Sequence, residues 1–244
     1  MKSLSDKTAI VVGASRGLGH GIATALAAAG APVVAVSRTA VAHAGQDNIE
    51  PVLADAADPA VATELLGRYQ PRTVVLVAGA VPHISPLPEQ TWESFSVNWE
   101  ADVRIAFNWL REALLRPLEP GSHVVVFSSG AALNGSALSG GYAGAKAAQR
   151  FMTAYAQEEA NRAGLRLTFT ALLPRITSET ELGRPAVEAY ANRAGQSVER
   201  YLEQMGPLLT PEGAGAAVVE LVGRNAAEIA PAYLLTGAGL QELP

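Results

Sequence analysis

The chain alternates short apolar stretches with longer stretches in which apolar residues recur at helical spacing. The apolar stretches predict strands at Thr8–Val12, Pro32–Ser37, Ile49–Leu53, Thr73–Ala78, His123–Ser128, Arg166–Leu173 and Tyr233–Thr236. The longer stretches predict helices at Gly17–Ala29, Pro59–Arg68, Thr91–Leu115, Tyr142–Ala163 and Pro211–Arg224. Strands that are apolar throughout and separated by helices favour a parallel sheet covered on both faces. The predicted fold class is α/β, with a doubly wound parallel sheet of about seven strands and helices on both faces.

Capping and turn residues agree with these boundaries. Gly30 follows the first helix as a C-terminal cap, and Asp58 precedes Pro59 as an N-terminal cap. Residues 175–209 are irregular with helical patches. Since no repeat or linker divides the chain, we expect one domain over residues 1–244.

Composition excludes several classes of function. The 244 residues carry a net charge of −5 without a Lys/Arg cluster, so nucleic acid is not an expected partner. The absence of cysteine excludes disulfides and thiolate metal sites and fits a reducing, cytoplasmic location; we expect no metal site. The start, Met1–Lys7, lacks the apolar core of a signal peptide. The apolar region 21–36 is interrupted by Gly30 and Pro32 and predicts helix, turn and strand instead of a membrane span.

A glycine-rich loop joins the first strand to the first helix. Gly13, Gly17 and Gly19 lie in Gly-Ala-Ser-Arg-Gly-Leu-Gly. Glycines allow a tight turn and let backbone N–H groups approach a pyrophosphate, to which the helix N-terminus adds partial positive charge. The plain alternative is an ordinary strand–helix turn, but the flanking strand and helix favour dinucleotide binding.

The residues after the second strand indicate which dinucleotide is bound. An acidic residue there would bind the ribose 2′-hydroxyl of NAD, but this chain has Ser37, Arg38 and Thr39. Arg38 is suited to a bidentate contact with a 2′-phosphate, and Arg16 in the glycine loop lies toward the same end. Two solvated arginines are the alternative. The pattern favours NADP(H).

Tyr142 and Lys146 are spaced for one face of a helix, about one turn apart. An ammonium beside a phenol favours the ionised phenol, which allows the tyrosine to transfer a proton near neutral pH. Taken alone, such a pair usually belongs to a solvated helix face.

With these motifs the chain resembles the compact form of the short-chain dehydrogenase/reductase family nearly end to end. Gly13, Gly17 and Gly19 match its cofactor loop, and Ser129 lies thirteen residues before Tyr142, which is the family's serine spacing. Other matching positions are Asp55 near the adenine, Ala78 and Gly79 under the cofactor, Asn98 of the catalytic set and Pro174 near the nicotinamide.

The resemblance implies a Rossmann-like fold and hydride transfer between NADP(H) and a carbonyl/alcohol pair. It assigns Ser129 to hydrogen-bond the substrate oxygen, Tyr142 to exchange a proton with it, and Lys146 to hold the nicotinamide ribose. Asn98 would anchor a water that links Lys146 to solvent. The plain alternatives are a strand-end turn at Ser128 and Ser129 and a local hydrogen bond at Asn98. The expected cofactor contacts are Gly13, Ser15, Arg16, Gly17, Leu18, Gly19, Ser37, Arg38, Thr39, Asp55, Ala78, Gly79, Asn98, Tyr142, Lys146, Pro174 and Thr177.

Three positions depart from the family pattern. Val12 replaces the threonine before the glycine loop, and Leu76 and Val77 replace an asparagine pair. We infer that a polar contact between the first and fourth strands has been exchanged for packing, which is nearly neutral when both partners change. Arg175 replaces the glycine after the proline, where it would contact cofactor, an acidic substrate or solvent.

Residues 176–209 are expected to form a lid over the substrate. Its start is polar, with Thr177 or Thr180 near the nicotinamide amide. The remaining wall would suit a medium-sized ketone or a 3-oxoacyl group, and His83 is more often a surface residue. The expected wall residues are Leu133, Asn134, Leu138, Tyr190, Tyr201, Leu202, Met205, Leu208 and Leu209.

The helices Thr91–Leu115 and Tyr142–Ala163 carry apolar residues on more than one face: Trp99, Ile105, Phe107, Trp109 and Phe151. In the resembling family these helices pair across a dimer axis, so a homodimer or homotetramer is expected; otherwise the excess belongs to the core. The predicted function is an NADPH-dependent ketoreductase. Two alternatives stay open: a non-catalytic NADP(H)-sensing module, and a dehydratase or epimerase on the same fold.

Overall fold

The computed structural model describes residues 4, 5, 7–39, 47–116, 118–178, 180 and 183–244. Most of the N-terminal segment examined for a signal peptide, and lid positions 179, 181 and 182, therefore lie outside the described residues. The strands are β1 (Ala9–Val12), β2 (Val33–Ser37), β3 (Ile49–Leu53), β4 (Thr73–Leu76), β5 (His123–Phe127), β6 (Thr168–Pro174), β7 (Ala232–Thr236) and β8 (Gly239–Leu243).

These strands form an eight-stranded sheet in the order β3-β2-β1-β4-β5-β6-β7-β8. The order reverses between β1 and β4, and the pairs from β3 to β7 are parallel. The doubly wound parallel sheet is thus confirmed. The prediction missed β8, which pairs antiparallel with β7 at the edge of the sheet. Its sequence, Gly-Leu-Gln-Glu-Leu, is half-exposed and too polar for the pattern of a buried strand.

The helices cover both faces of the sheet and mostly match the predicted boundaries. They are α1 (Gly17–Ala28), α2 (Pro59–Tyr69), α3 (Trp92–Asn98), α4 (Arg104–Leu115), α5 (Ala131–Asn134), α6 (Gly140–Arg162), α7 (Gly183–Arg193), α8 (Val198–Glu203) and α9 (Pro211–Gly223). Asp58 caps α2 as expected, because its carboxylate accepts the Ala60 N–H at 2.9 Å. The short α5 was not predicted.

The predicted helix Thr91–Leu115 is not a uniform α-helix. Thr91 and Ser94 form a reciprocal capping box at its start. A π-helical turn, Trp99–Val103, then separates α3 from α4. Single π turns often occur at functional sites, and this one follows Asn98 directly.

Two apolar clusters occupy the two faces of the sheet. One contains residues of α1 and α9, and the other contains residues of α2, α4 and α6. Val12 and Leu76 are register partners on β1 and β4 and are buried in the second cluster. This arrangement agrees with the inferred exchange of a polar contact for packing. Ile105 and Trp109 also lie in that cluster, so they belong to the core and not to a surface excess.

Candidate active site

The carboxyl ends of the parallel strands open into one groove of about 1290 Å³. The glycine loop after β1, the end of β2, the turn after β4 and the start of α6 all contribute to its wall. Every predicted cofactor-contact residue lines this groove except Asn98, which is only 2% exposed and lies behind the wall.

Gly13 holds the glycine loop against the turn after β4. Its φ is +97°, and a β-carbon at this position would stand 2.6 Å from the Ala78 Cα. Only glycine permits both this conformation and this approach. The N-terminus of α1 follows at Gly17, so its backbone N–H groups and partial positive charge face the groove. This cradle fits the pyrophosphate of a dinucleotide.

The far end of the groove carries the residues that are expected to contact the adenosine part of the cofactor. Arg16 and Arg38 are exposed at its wall, together with the Asp55 side chain. Asp55 Oδ1 accepts the Ala57 N–H at 3.0 Å, and Trp109 Nε1 donates to the Ala56 carbonyl at 3.1 Å. The loop after β3 is therefore held by one hydrogen bond within the loop and by a second one from α4.

Lys146 is 6% exposed and is held by groups from β5, from its own helix α6 and from the π-helical turn. Its Nζ donates to the Phe127 carbonyl of β5 at 3.1 Å and to Gln149 Oε1 of α6 at 2.8 Å. Asp102 Oδ2, from the π-helical turn, lies 3.1 Å from the same Nζ. The ammonium also stands 5.5 Å from the centre of the Tyr142 ring.

Burial and charge act in opposite directions on this lysine. Burial lowers the pKa of Lys146, whereas the Asp102 carboxylate and Tyr142 raise it, and the net shift is upward. The lysine therefore stays charged at neutral pH. Since buried charges require partners, Asp102 is the structural reason that an ammonium is stable at this depth.

The π-helical turn places Asn98 and Asp102 side by side. Asn98 Nδ2 donates to the Ala80 carbonyl at 2.8 Å and lies 3.3 Å from Asp102 Oδ1. Asp102 Oδ1 also accepts the Ala80 N–H at 2.8 Å. Both side chains thus attach this turn to the segment after β4.

The two serines after β5 differ in burial. Ser128 is buried and donates to the Lys146 carbonyl at 2.7 Å, which fixes α6 against the strand. Ser129 lines the groove, and its Oγ accepts the Ala131 N–H at 3.2 Å. Only Ser129 is therefore placed to meet a substrate oxygen.

The substrate end of the groove mixes hydroxyl groups with apolar side chains. The Tyr190 hydroxyl of α7 contacts Ser136 Oγ, which lies 2.6 Å from Ser139 Oγ. Arg175 lines this end and donates from Nη1 to the Met205 carbonyl at 3.2 Å. The other predicted wall residues that line the groove are Leu133, Asn134, Thr177, Thr180 and Tyr201.

Several expected wall residues lie elsewhere. His83 is exposed, Leu138 is buried beside the groove, and Leu209 is in the core. Neither these three nor Leu202 and Leu208 belong to the groove lining. The segment 175–209 is also more regular than expected, because α7 and α8 lie within it.

Sequence reasoning missed Asp102 and Gln149. Each carried a signal in its spacing: Asp102 is four residues after Asn98, and Gln149 is three after Lys146. Polar residues at these intervals share a helix face. An aspartate on the same face as Asn98, in a stretch that must cover the sheet, indicated a buried partner.

Comparison with known proteins agrees with this fold. A family model described as short chain dehydrogenase matches residues 7–191. The chain therefore belongs to the short-chain dehydrogenase family of oxidoreductases.

The relatives include two reductases. L-xylulose reductase of Bos taurus is 38% identical over 114 residues, which are 42% of this chain and 46% of that protein. The chain thus matches about half the length of such relatives. Carbonyl reductase 2 (NADPH) of Sus scrofa is 28% identical over 226 residues, 87% of this chain and 92% of that protein.

A solved structure shares the whole fold. It is that of a short chain dehydrogenase from Burkholderia cenocepacia in complex with NADP, with a TM-score of 0.78 and 23% identity. The match covers 97% of this chain and 98% of that one.

Within the described residues, no helix has the length and apolarity needed to cross a membrane. The described His, Asp and Glu side chains include no group of three or more that is arranged to hold a metal ion.

Proposed function

We propose that the protein is an NADP(H)-dependent ketoreductase that interconverts a ketone and a secondary alcohol. One observation carries the proposal: Ser129, Tyr142 and Lys146 line the same groove as the glycine loop. The buried ammonium of Lys146 stands 5.5 Å from the Tyr142 ring centre. A phenol beside a fixed cation is suited to proton transfer at an oxygen.

The side chains take complementary roles. Bound NADPH supplies a hydride to the carbonyl carbon. The Tyr142 hydroxyl donates a proton to the carbonyl oxygen during reduction, and the Lys146 ammonium stabilises the phenolate left behind. Ser129 Oγ accepts the Ala131 N–H, which leaves its own O–H to donate to the substrate oxygen. The nicotinamide ribose would lie against Lys146 and Tyr142.

The preference for NADP(H) over NAD(H) rests on the end of β2. Arg38 and Arg16 line the groove there, and the residues after β2 include no carboxylate for a ribose 2′-hydroxyl. Arginine is suited to a 2′-phosphate because its planar fork donates two parallel hydrogen bonds. The full-length similarity to an NADPH carbonyl reductase supports the same choice.

The substrate end suits a medium-sized ketone, including one that carries hydroxyl groups. Ser136, Ser139 and Tyr190 offer hydroxyls, and Leu133 and Met205 offer apolar surface. A 3-oxoacyl chain is the other candidate. The relatives named as xylulose and carbonyl reductases support a ketone substrate.

Two further parts of the proposal concern organisation. The segment 176–209 would act as a lid on a single domain, since a β-carbon at Gly17 would stand 3.3 Å from the Thr180 Cγ2 above the glycine loop.

The neighbouring helices α4 and α6 expose Phe107 and Phe151, at 54% and 69%. Exposed aromatic side chains on adjacent helices favour a homodimer or homotetramer.

The decisive experiment measures NADPH consumption against ketones, hydroxyketones and 3-oxoacyl thioesters. Tyr142→Phe should lower kcat/KM about 10²- to 10⁴-fold while leaving the Kd for NADPH nearly unchanged. Tyr155→Phe, on the exposed face of the same helix, is the matched control and should retain full activity. If the wild type binds NADPH but reduces no member of the panel, the sensing module replaces the ketoreductase.

A further inference from the structure

Asp102 is a buried carboxylate that the roles proposed above do not use. It is 0% exposed and reaches the groove wall directly behind the Lys146 ammonium. Burying a carboxylate and an ammonium together carries a large desolvation cost, and well-packed apolar residues are often at least as stable. A contribution to packing alone does not account for it.

We propose that Asp102 is a positioning residue for the reduction: it fixes the Lys146 ammonium beside Tyr142 and supplies the counter-charge of that buried ammonium. This inference rests on the proposed ketoreductase function. It assigns Asp102 no contact with substrate, because its action is transmitted through Lys146.

The geometry fixes the ammonium from three directions. The Phe127 carbonyl and Gln149 Oε1 accept its hydrogen bonds, and Asp102 Oδ2 supplies the opposite charge at 3.1 Å. An ammonium has three N–H groups. Because the first two acceptors are neutral, the charge balance of the lysine depends on Asp102.

The carboxylate itself is fixed. Its Oδ1 accepts the Ala80 N–H at 2.8 Å and lies 3.3 Å from Asn98 Nδ2, while Gly79 packs directly against it. Oδ2 is left facing Lys146. Asn98 directly precedes the π-helical turn and Asp102 lies within it, and both side chains bond to Ala80 or its carbonyl.

The charges around this lysine are few. Among the described residues, Asp102 and Tyr142 are the charged or titratable groups that act on Lys146. Glu100 and Arg104 belong to the same helical stretch, but they are exposed and pair with each other. Removing the Asp102 charge therefore leaves Lys146 without a counter-charge.

The sign of the effect follows from the charge on Lys146. A nearby negative charge favours the protonated form of an ammonium, so removal of the Asp102 charge lets Lys146 lose its proton at lower pH. Reduction requires the proton on Tyr142 and the charge on Lys146. The alkaline limb of the reduction profile must then move to lower pH.

Asparagine at position 102 separates this role from a structural one. Its side-chain oxygen can still accept the Ala80 N–H, which keeps the attachment of the π-helical turn, while an uncharged NH2 group replaces the carboxylate oxygen that faces Lys146. Glu112→Gln is the matched control. It removes another buried carboxylate from the same helical stretch, one that pairs with Arg116 instead of Lys146.

The first measurement is kcat/KM for NADPH-dependent reduction from pH 6 to pH 10. Asp102→Asn should move the alkaline limb down by about one pH unit or more and lose least activity at low pH. In Glu112→Gln the alkaline limb should fall at the same pH as in the wild type. A uniform loss at every pH, with the limb unmoved, overturns the proposal. Absence of turnover by the wild type at every pH would instead refute the ketoreductase function.

The second measurement does not need turnover. In Asp102→Asn the lysine keeps its two neutral acceptors but is buried without a counter-charge, so its protonation opposes folding. The difference in Tm from wild type should then shrink as pH rises from 6 to 9, and a pH-independent difference overturns the proposal. If Asp102→Asn fails to fold, the double variant Asp102→Asn, Lys146→Met takes its place, because it buries no unpaired charge. A double variant that folds supports the pairing, and one that also fails to fold contradicts it.

Discussion

Gly79 lies directly behind the carboxylate of Asp102. A β-carbon at position 79 would stand 2.7 Å from Asp102 Oδ2 and 3.0 Å from Oδ1. The aspartate cannot withdraw, because Oδ1 is bound by the Ala80 N–H. The glycine after β4 is therefore required here by a side chain of the π-helical turn.

We expect Gly79→Ala to lower the free energy of unfolding by about 1–3 kcal/mol, the usual cost of overpacking a buried site. Urea unfolding would measure it. Gly67→Ala on α2 is the control, since among the described residues no atom apart from the adjoining backbone of α2 lies within 4 Å of its new β-carbon. That variant should gain up to about 1 kcal/mol from helix propensity. Equal behaviour of the two variants would contradict the contact.

His123 should make the protein sensitive to acid. It is buried on β5 with Nε2 3.0 Å from Thr170 Oγ1, and burial lowers the pKa of His123 to about 4. The unfolded chain takes up this proton near pH 6.5, so the stability is full above that pH and falls as the pH approaches 4. The loss from this one group amounts to about 3 kcal/mol at pH 4.

Thermal or urea unfolding between pH 7.5 and 4 would test this expectation on wild type and His123→Gln. The variant lacks the titrating ring, so the stability of the wild type relative to it should decline with acidification. Parallel pH dependences would show that the histidine does not contribute.

Arg38 should discriminate between the two nicotinamide dinucleotides. Loss of a charge-assisted hydrogen bond to a 2′-phosphate costs about 1.5–3 kcal/mol, so Arg38→Ala should raise the Kd for NADPH roughly 10- to 150-fold. The Kd for NADH should change little. Fluorescence titration of both cofactors would measure the difference, with the exposed Arg162→Ala as control. An equal weakening of both cofactors would exclude a 2′-phosphate contact.

Phe151 should belong to a subunit interface. A charge on a covered aromatic face is costly, so Phe151→Glu should reduce the molar mass seen by analytical ultracentrifugation. Leu53→Glu, at another exposed apolar position on β3, should leave the mass unchanged. A wild type that sediments as a monomer would refute the oligomer proposal.

Much of the fold was predictable because its signals are local. Apolar strands, the Asp58 cap and the glycine loop each follow from a few neighbouring residues, and the carboxyl ends of parallel strands meet at one edge. The cofactor side of the groove was therefore predictable as a set, whereas Leu138, Leu202, Leu208 and Leu209 of the expected substrate wall do not line it. The edge strand β8 was not predictable, because an exposed strand lacks an apolar signature.

The surroundings of Lys146 were only partly predictable. Its spacing from Tyr142 follows from α-helix geometry, but the partner Asp102 is 44 residues away in the sequence. A uniform α-helix was assumed through Asn98, whereas the chain makes a π-helical turn there. The side-chain amide of Asn98 donates to the Ala80 carbonyl and lies near Asp102, whereas its role in anchoring a water stays a prediction.

That π-helical turn makes the length of the segment as important as its composition. An α-helix advances its side chains by about 100° per residue, since 3.6 residues complete one turn. Deleting one residue from 99–103 would rotate everything before it by that angle, carrying Asn98 away from Ala80. A π-helical turn contains one residue more than an α-helical turn. Homologous sequences can therefore be aligned through this helix only if that additional residue is placed within 99–103.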